Sequence, residues 1–232
     1  MRKKTIGIIG GMGPLAAADL FEKIILHTRA SCDQDHLRVL IDSNTNIPDR
    51  TAAILSGGAN PVPELTASAR GLERQGAEVL IMPCNTAHCF YDAVQASVSI
   101  PLLHMLRLTA RALRERGVET AGLLATDGTV QTGIYPRCFE GTGIRLLTPD
   151  GPGQRAVMDM IYRGVKAGRT DYDASAVRRT MEDLLRQGAE TLILGCTEMP
   201  LAVRRYGLDF PVTDPTLELA LGAIRFAGGE TM

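Results

Sequence analysis

Residues 72–84 read LERQGAEVLIMPC and residues 184–196 read LLRQGAETLILGC. Nine of the thirteen positions agree, at an offset of 112. Each stretch reads as a helix end, a glycine turn and a buried strand. Charged residues fill the last helical turn, Gly76 or Gly188 stops it, and an apolar run follows. Each run closes on a cysteine, Cys84 or Cys196. Two shorter echoes keep the order: TIGIIG at 5–10 against TAGLLA at 120–125, and Ile100-Pro101 against Phe210-Pro211. The chain therefore reads as an internal duplication of two halves, about 110 residues each.

Outward from the repeat, short apolar runs alternate with amphipathic stretches. The runs lie at 6–9, 37–41, 79–82, 121–124 and 191–194, and the helical candidates at 15–30, 63–75, 106–116, 154–167 and 174–187. Short buried strands alternating with helices predict βαβ units around parallel sheets. The expected fold is α/β, with two similar α/β halves built on parallel sheets. The expected domains are residues 1–103 with 216–232, and residues 104–215.

Composition narrows the function. The 232 residues carry a formal net charge of −1, are 45% hydrophobic and only 4% aromatic, and lack Trp. The charge balance lacks the basic excess of a nucleic-acid binder, and few rings are available to stack on bases. The basic start Arg2-Lys3-Lys4 precedes an apolar run that stops at Gly10-Gly11, too short for a signal peptide or a membrane span. These features point to a cytoplasmic protein with neither nucleic-acid nor membrane partners. The five cysteines, at 32, 84, 89, 138 and 196, are odd in number and widely spaced, which argues against a disulfide framework or a CxxC zinc site.

Cys84 and Cys196 each follow a strand, at the carboxyl edge where open α/β sheets bind ligands. Small polar residues come next, Asn85-Thr86 in one half and Thr197-Glu198 in the other. Were the halves to face each other across a pseudo-twofold axis, the two thiols would enter one cleft from opposite sides. Such a pair suits inversion of a stereocentre: one thiolate removes a proton and the other thiol delivers one to the far face. A helix start lowers a cysteine pKa toward working pH. Donors from Asn85, Thr86 and Thr197 at those starts suit a carboxylate and the charge developing beside it. A lone cysteine at a strand end is ordinarily a small buried hydrophobe, and Cys32, Cys89 and Cys138 are read that way.

With Cys84-Asn85-Thr86-Ala87-His88 and Gly195-Cys196-Thr197-Glu198, the sequence resembles the cofactor-independent aspartate racemases of the aspartate/glutamate racemase superfamily. The likeness covers nearly the whole chain. It includes Ile9-Gly10-Gly11-Met12-Gly13-Pro14, Ile47-Pro48-Asp49-Arg50-Thr51, Leu123-Leu124-Ala125-Thr126 and the segment Ile161–Gly168. The resemblance implies Cys84 and Cys196 as paired catalytic bases, with Cys196 on the L face and Cys84 on the D face. It implies that Asn85, Thr86 and Thr197 hold the substrate α-carboxylate and that Arg50 and Lys166 hold the side-chain carboxylate. By the same likeness Met12, Thr126 and Glu198 complete the substrate site. It also implies two pseudosymmetric α/β domains with the active site in the interdomain cleft, aspartate as substrate, no cofactor, no metal and a homodimer. Lys166 is the one lysine beyond residue 23, and Arg and Lys are the side chains that pair with carboxylates. Glutamate racemases usually carry His where Glu198 stands, which favours aspartate over glutamate.

The residues also admit other readings. Gly11-Met12-Gly13-Pro14-Leu15-Ala16 fits a dinucleotide-binding G-x-G-x-x-A, with Asp42 closing a second strand, but at a spacing longer than the motif asks. Lys166 suits a pyridoxal-phosphate Schiff base. A non-catalytic small-ligand module, a hydantoin racemase and a maleate isomerase share parts of the pattern.

Overall fold

A computed structural model describes residues 2–232. The strands are β1 (Ile6–Gly10), β2 (Val39–Ser43), β3 (Val79–Ile81), β4 (Thr120–Ala125), β5 (Arg145–Leu147), β6 (Thr191–Gly195) and β7 (Val212–Thr213). The helices are α1 (Pro14–His27), α2 (Arg50–Leu55), α3 (Val62–Arg74), α4 (Tyr91–Gln95), α5 (Met105–Glu115) and α6 (Asp127–Gln131). They continue as α7 (Ile134–Phe139), α8 (Gly151–Asp159), α9 (Ser175–Arg186), α10 (Met199–Arg205) and α11 (Pro215–Phe226). Contacts divide the chain into two compact units. One runs through Leu108 and takes up Thr216–Met232; the other is Thr109–Pro215.

Both units hold parallel sheets. The first has strand order β2-β1-β3 and the second β5-β4-β6-β7. The sequence repeat and the topology coincide: the central strands β1 and β4 are flanked by β2 and β3, and by β5 and β6. The repeated segment explains why. The Gly76 N–H donates to Glu73 and the Ala77 N–H to Leu72; the Gly188 N–H donates to Leu185 and the Ala189 N–H to Leu184. With φ of +95° and +100° at the two glycines, each is a Schellman stop that turns a helix into a strand. The next amides, Glu78 and Glu190, donate to the carbonyls of Thr5 and Thr120, so each turn starts its strand in register. The two glutamates also hold amide groups at that rim: Glu78 accepts from the Thr5 N–H at 3.0 Å, and Glu190 from the Glu119 and Thr120 N–H groups at 2.8 and 2.9 Å. The Ile100-Pro101 and Phe210-Pro211 echo has the same basis. The Pro101 and Pro211 carbonyls accept from Leu80 and Leu192, where unit 1 makes a single bridge to Leu102 and unit 2 makes β7.

Each sheet packs one face against repeated leucines. A Cβ at Gly7 would lie 2.7 Å from Leu80 Cδ2, 2.9 Å from Ala77 Cβ and 3.3 Å from Leu72 Cβ. Two of those atoms sit next to backbone and cannot swing aside. Gly7→Val is therefore expected to lower stability by about 1–3 kcal/mol, read as a fall in the urea midpoint at unchanged slope.

Several boundaries differ from the sequence reading. The strand expected at 37–41 is Val39–Ser43, because pairing with β1 runs from Ile6↔Val39 to Gly10↔Ser43 and an edge strand tolerates Asp42 and Ser43. The helix expected at 15–30 stops at His27: Thr28 Oγ1 donates to the Ile24 carbonyl, and Thr28 bridges Thr231 in the antiparallel sense. The helix expected at 154–167 is α8 followed by a π-helical stretch, Met160–Val165. Among the described residues, no helix is long and apolar enough to cross a membrane.

Candidate active site

In unit 1, β3 ends at Ile81 and Met82-Pro83 leads to Cys84. Cys84 is 6% exposed and belongs to one apolar cluster with Ile9, Met12 and Ile47. Asn85, which precedes the 3-10 turn Thr86–Phe90, is buried, as is Thr86. Arg50 opens α2, whose N-cap Asp49 accepts from the Ala52 N–H at 2.8 Å. The buried Arg50 guanidinium donates from Nη1 to the carbonyls of Ile47 and Pro48 at 3.3 and 2.9 Å, and from Nη2 to Met12 at 3.2 Å. It thereby ties the loop after β1 to the loop after β2. Met12, Arg50, Cys84, Asn85 and Thr86 all lie in segments that leave the carboxyl ends of β1, β2 and β3.

His88 carries chemistry that the sequence reading left unassigned. Its Nδ1 lies 2.8 Å from the Cys84 carbonyl, and its Nε2 accepts from the Met105 N–H at 3.1 Å. The signal was present: a residue four places after Cys84 on a helical turn comes back over its carbonyl. Burial pushes His88 from 6.5 down to about 4. Its ring lies 4.8 Å from that of His104, which burial likewise pushes down, to about 3. The unfolded chain thus binds a proton at His88 near pH 6.5 where the folded chain does not, so stability is full above that pH and falls toward pH 4. The expected loss from His88 is up to about 3 kcal/mol. Urea midpoints measured between pH 7 and pH 4 should fall, with a shallower slope in His88→Gln.

In unit 2, β6 delivers Cys196, Thr197 and Glu198, all at most 7% exposed. Cys196 Sγ donates to Glu198 Oε2 at 3.0 Å, and Thr197 Oγ1 donates to the same oxygen at 3.4 Å. Burial pushes the Cys196 thiol well up, the Glu198 carboxylate adds to the rise, and Lys166 pulls the other way. Cys196 therefore rests as a thiol, with its proton directed at Glu198. β4 pairs with β6 through Ala125↔Gly195, which makes Thr126 and Cys196 neighbours just past the sheet edge. Thr126 caps α6, accepting from the Thr129 N–H at 3.3 Å. Gln154, a second residue the sequence reading passed over, fixes that corner. Its Nε2 donates to the Ala125 carbonyl at 2.9 Å and to Asp127 Oδ1 at 2.8 Å. Lys166 is exposed at the end of the π-helical stretch; its N–H donates to the Ile161 carbonyl, and its Nζ lies 4.5 Å above the Tyr162 ring. Thr126, Lys166, Cys196, Thr197 and Glu198 are thus gathered within unit 2. Among the described residues, no group of three His, Cys, Asp or Glu side chains is arranged as a metal site.

The model of the Asp/Glu/Hydantoin racemase family matches residues 9–221. The chain belongs to this family. Similar members include the aspartate racemase of Picrophilus torridus, whose structure shares 34% identity at a TM-score of 0.84, over 99% of this chain and 96% of that one. An aspartate racemase homologue from Pyrococcus horikoshii OT3 shares 27% identity at a TM-score of 0.77, over 97% of this chain and 99% of that one. The broad specificity amino-acid racemase RacX of Bacillus subtilis (strain 168) is 26% identical, over 94% of this chain and 96% of its own. This racemase thus has relatives named for aspartate and for broad specificity.

Proposed function

We propose that this racemase interconverts L- and D-aspartate by two-base chemistry at Cys84 and Cys196, without a cofactor. The observation that carries the reading is the matched placement of the two buried thiols after β3 and β6, equivalent strands of a duplicated fold. In the D-to-L direction Cys84, as thiolate, takes the Cα proton and the Cys196 thiol gives its own to the opposite face. In the L-to-D direction Cys196 first passes its proton to Glu198, takes the Cα proton as thiolate, and the Cys84 thiol supplies the far face. The next encounter with solvent resets the protons. Asn85, Thr86 and Thr197 hold the α-carboxylate and stabilise the charge that develops beside it. Met12 and Thr126 line the site. Arg50, held rigid by three carbonyls, and Lys166 receive the side-chain carboxylate.

Incubation of the purified protein with L-aspartate in D2O, followed by chiral separation and mass analysis, tests the reading. D-aspartate carrying one Cα deuterium is expected; no exchange and no inversion would end it. The similarity to RacX favours a second reading, a broader amino-acid range. Lys166→Met separates the two. If the side-chain carboxylate is read there, kcat/KM on aspartate falls about 10-fold or more, the scale of one charged hydrogen bond, while turnover of alanine is unaffected. An equal effect on both substrates favours the broad range.

A further inference from the structure

We propose that His88 is a positioning residue that orients the Cys84–Asn85 peptide from behind. This rests on the reading of Cys84 as a catalytic base.

The Met105 N–H can only donate, so the Nε2 that receives it is bare and the ring proton sits on Nδ1, aimed at the Cys84 carbonyl; the Leu103 carbonyl also faces the ring and is the acceptor that the opposite tautomer would use. The imidazole is 3% exposed, and burial keeps it neutral at pH 7. It therefore works as a fixed strut with one donor and one acceptor. A peptide unit is planar and trans, so its C=O and N–H point opposite ways. Anchoring the Cys84 oxygen on His88 sends the Asn85 N–H away from His88, and it sets the Cα–Cβ direction from which Sγ projects. The strut replaces an ordinary helical bond: the His88 N–H donates to Asn85 in a 3-10 turn, leaving the Cys84 carbonyl to the side chain. At the other end, the first amide of α5 is capped by the ring rather than by a residue of its own turn. Unit 2 has no such strut. The offset of 112 puts Pro200 opposite His88, and there the support is Glu198 on the sulfur itself.

The test measures the two thiols separately. Wild type, His88→Leu and His88→Gln are alkylated with iodoacetamide across a pH series, and Cys84 and Cys196 are followed by peptide mass spectrometry. Leu removes donor and acceptor, whereas Gln supplies one of each. In His88→Leu the rate and pH midpoint at Cys84 should move several-fold while Cys196 stays at its wild-type profile, and Gln should restore Cys84. The kcat on L-aspartate should fall about 10–100-fold in the Leu variant, the scale of a misaligned reacting group, and recover in Gln. A wild-type Cys84 profile in His88→Leu, or equal changes at both cysteines, overturns the proposal. Should the Leu variant not fold, 15N spectra of the wild-type histidines decide: a proton on Nε2 of His88 overturns it, and one on Nδ1 supports it. If the wild type leaves aspartate unchanged, the substrate reading fails while the alkylation profiles still judge the strut.

Discussion

Cys84→Ala and Cys196→Ala are each expected to abolish inversion, with losses of about 10²–10⁴-fold or more, because in the proposed two-base mechanism each removes the thiol that exchanges the Cα proton on one face. The variants should differ in what survives. With Cys196 alone, L-aspartate can lose its Cα proton and regain a deuteron on the same side, so exchange without inversion is confined to the L isomer. With Cys84 alone, exchange is confined to the D isomer. Cα deuterium measured by mass spectrometry in each recovered enantiomer checks this, with Cys32, Cys89 and Cys138 variants as controls expected within a few-fold of wild type. Full racemisation by Cys84→Ala would falsify the two-base mechanism.

Glu198→Gln carries the second-largest effect and moves two observables in opposite senses. The carboxylate raises the Cys196 pKa and receives its hydrogen bond at 3.0 Å. Removing the charge should make the thiol more acidic, so iodoacetamide captures Cys196 at lower pH. Turnover should nonetheless fall about 10–150-fold, the range for losing one charged hydrogen-bond partner, because the thiol no longer has an acceptor for its proton. A racemase equilibrium constant is one, so kcat/KM must fall equally for both isomers; only single-face exchange can show which thiol is affected. A more acidic Cys196 with undiminished turnover would make Glu198 a spectator.

The repeat around Gly76 and Gly188 was legible because a Schellman stop is local, with every bond lying within six residues. The long apolar strands and the two cysteines followed from it. What escaped depended on distant partners. β5 and β7 are three and two residues long and exist through their pairing with β4 and β6. The Arg50 contact with Met12 joins residues 38 apart, and that of Met105 with His88 joins residues 17 apart. The role of Glu198 was read as substrate contact from resemblance; its carboxylate faces the Cys196 sulfur, a geometry that spacing alone does not distinguish.

Glu78 and Glu190 close the amino-terminal rim of each sheet, whereas the thiols stand past the carboxyl-terminal one. Tolerance to mutation should therefore be polarised along the strands. Changes at the glutamate rim lower the melting temperature and leave rates alone, and changes at the thiol rim alter rates at little cost in folding. Selection for a new substrate can rewrite one end of the molecule while the other keeps it standing, so the two halves are free to diverge in chemistry without diverging in architecture.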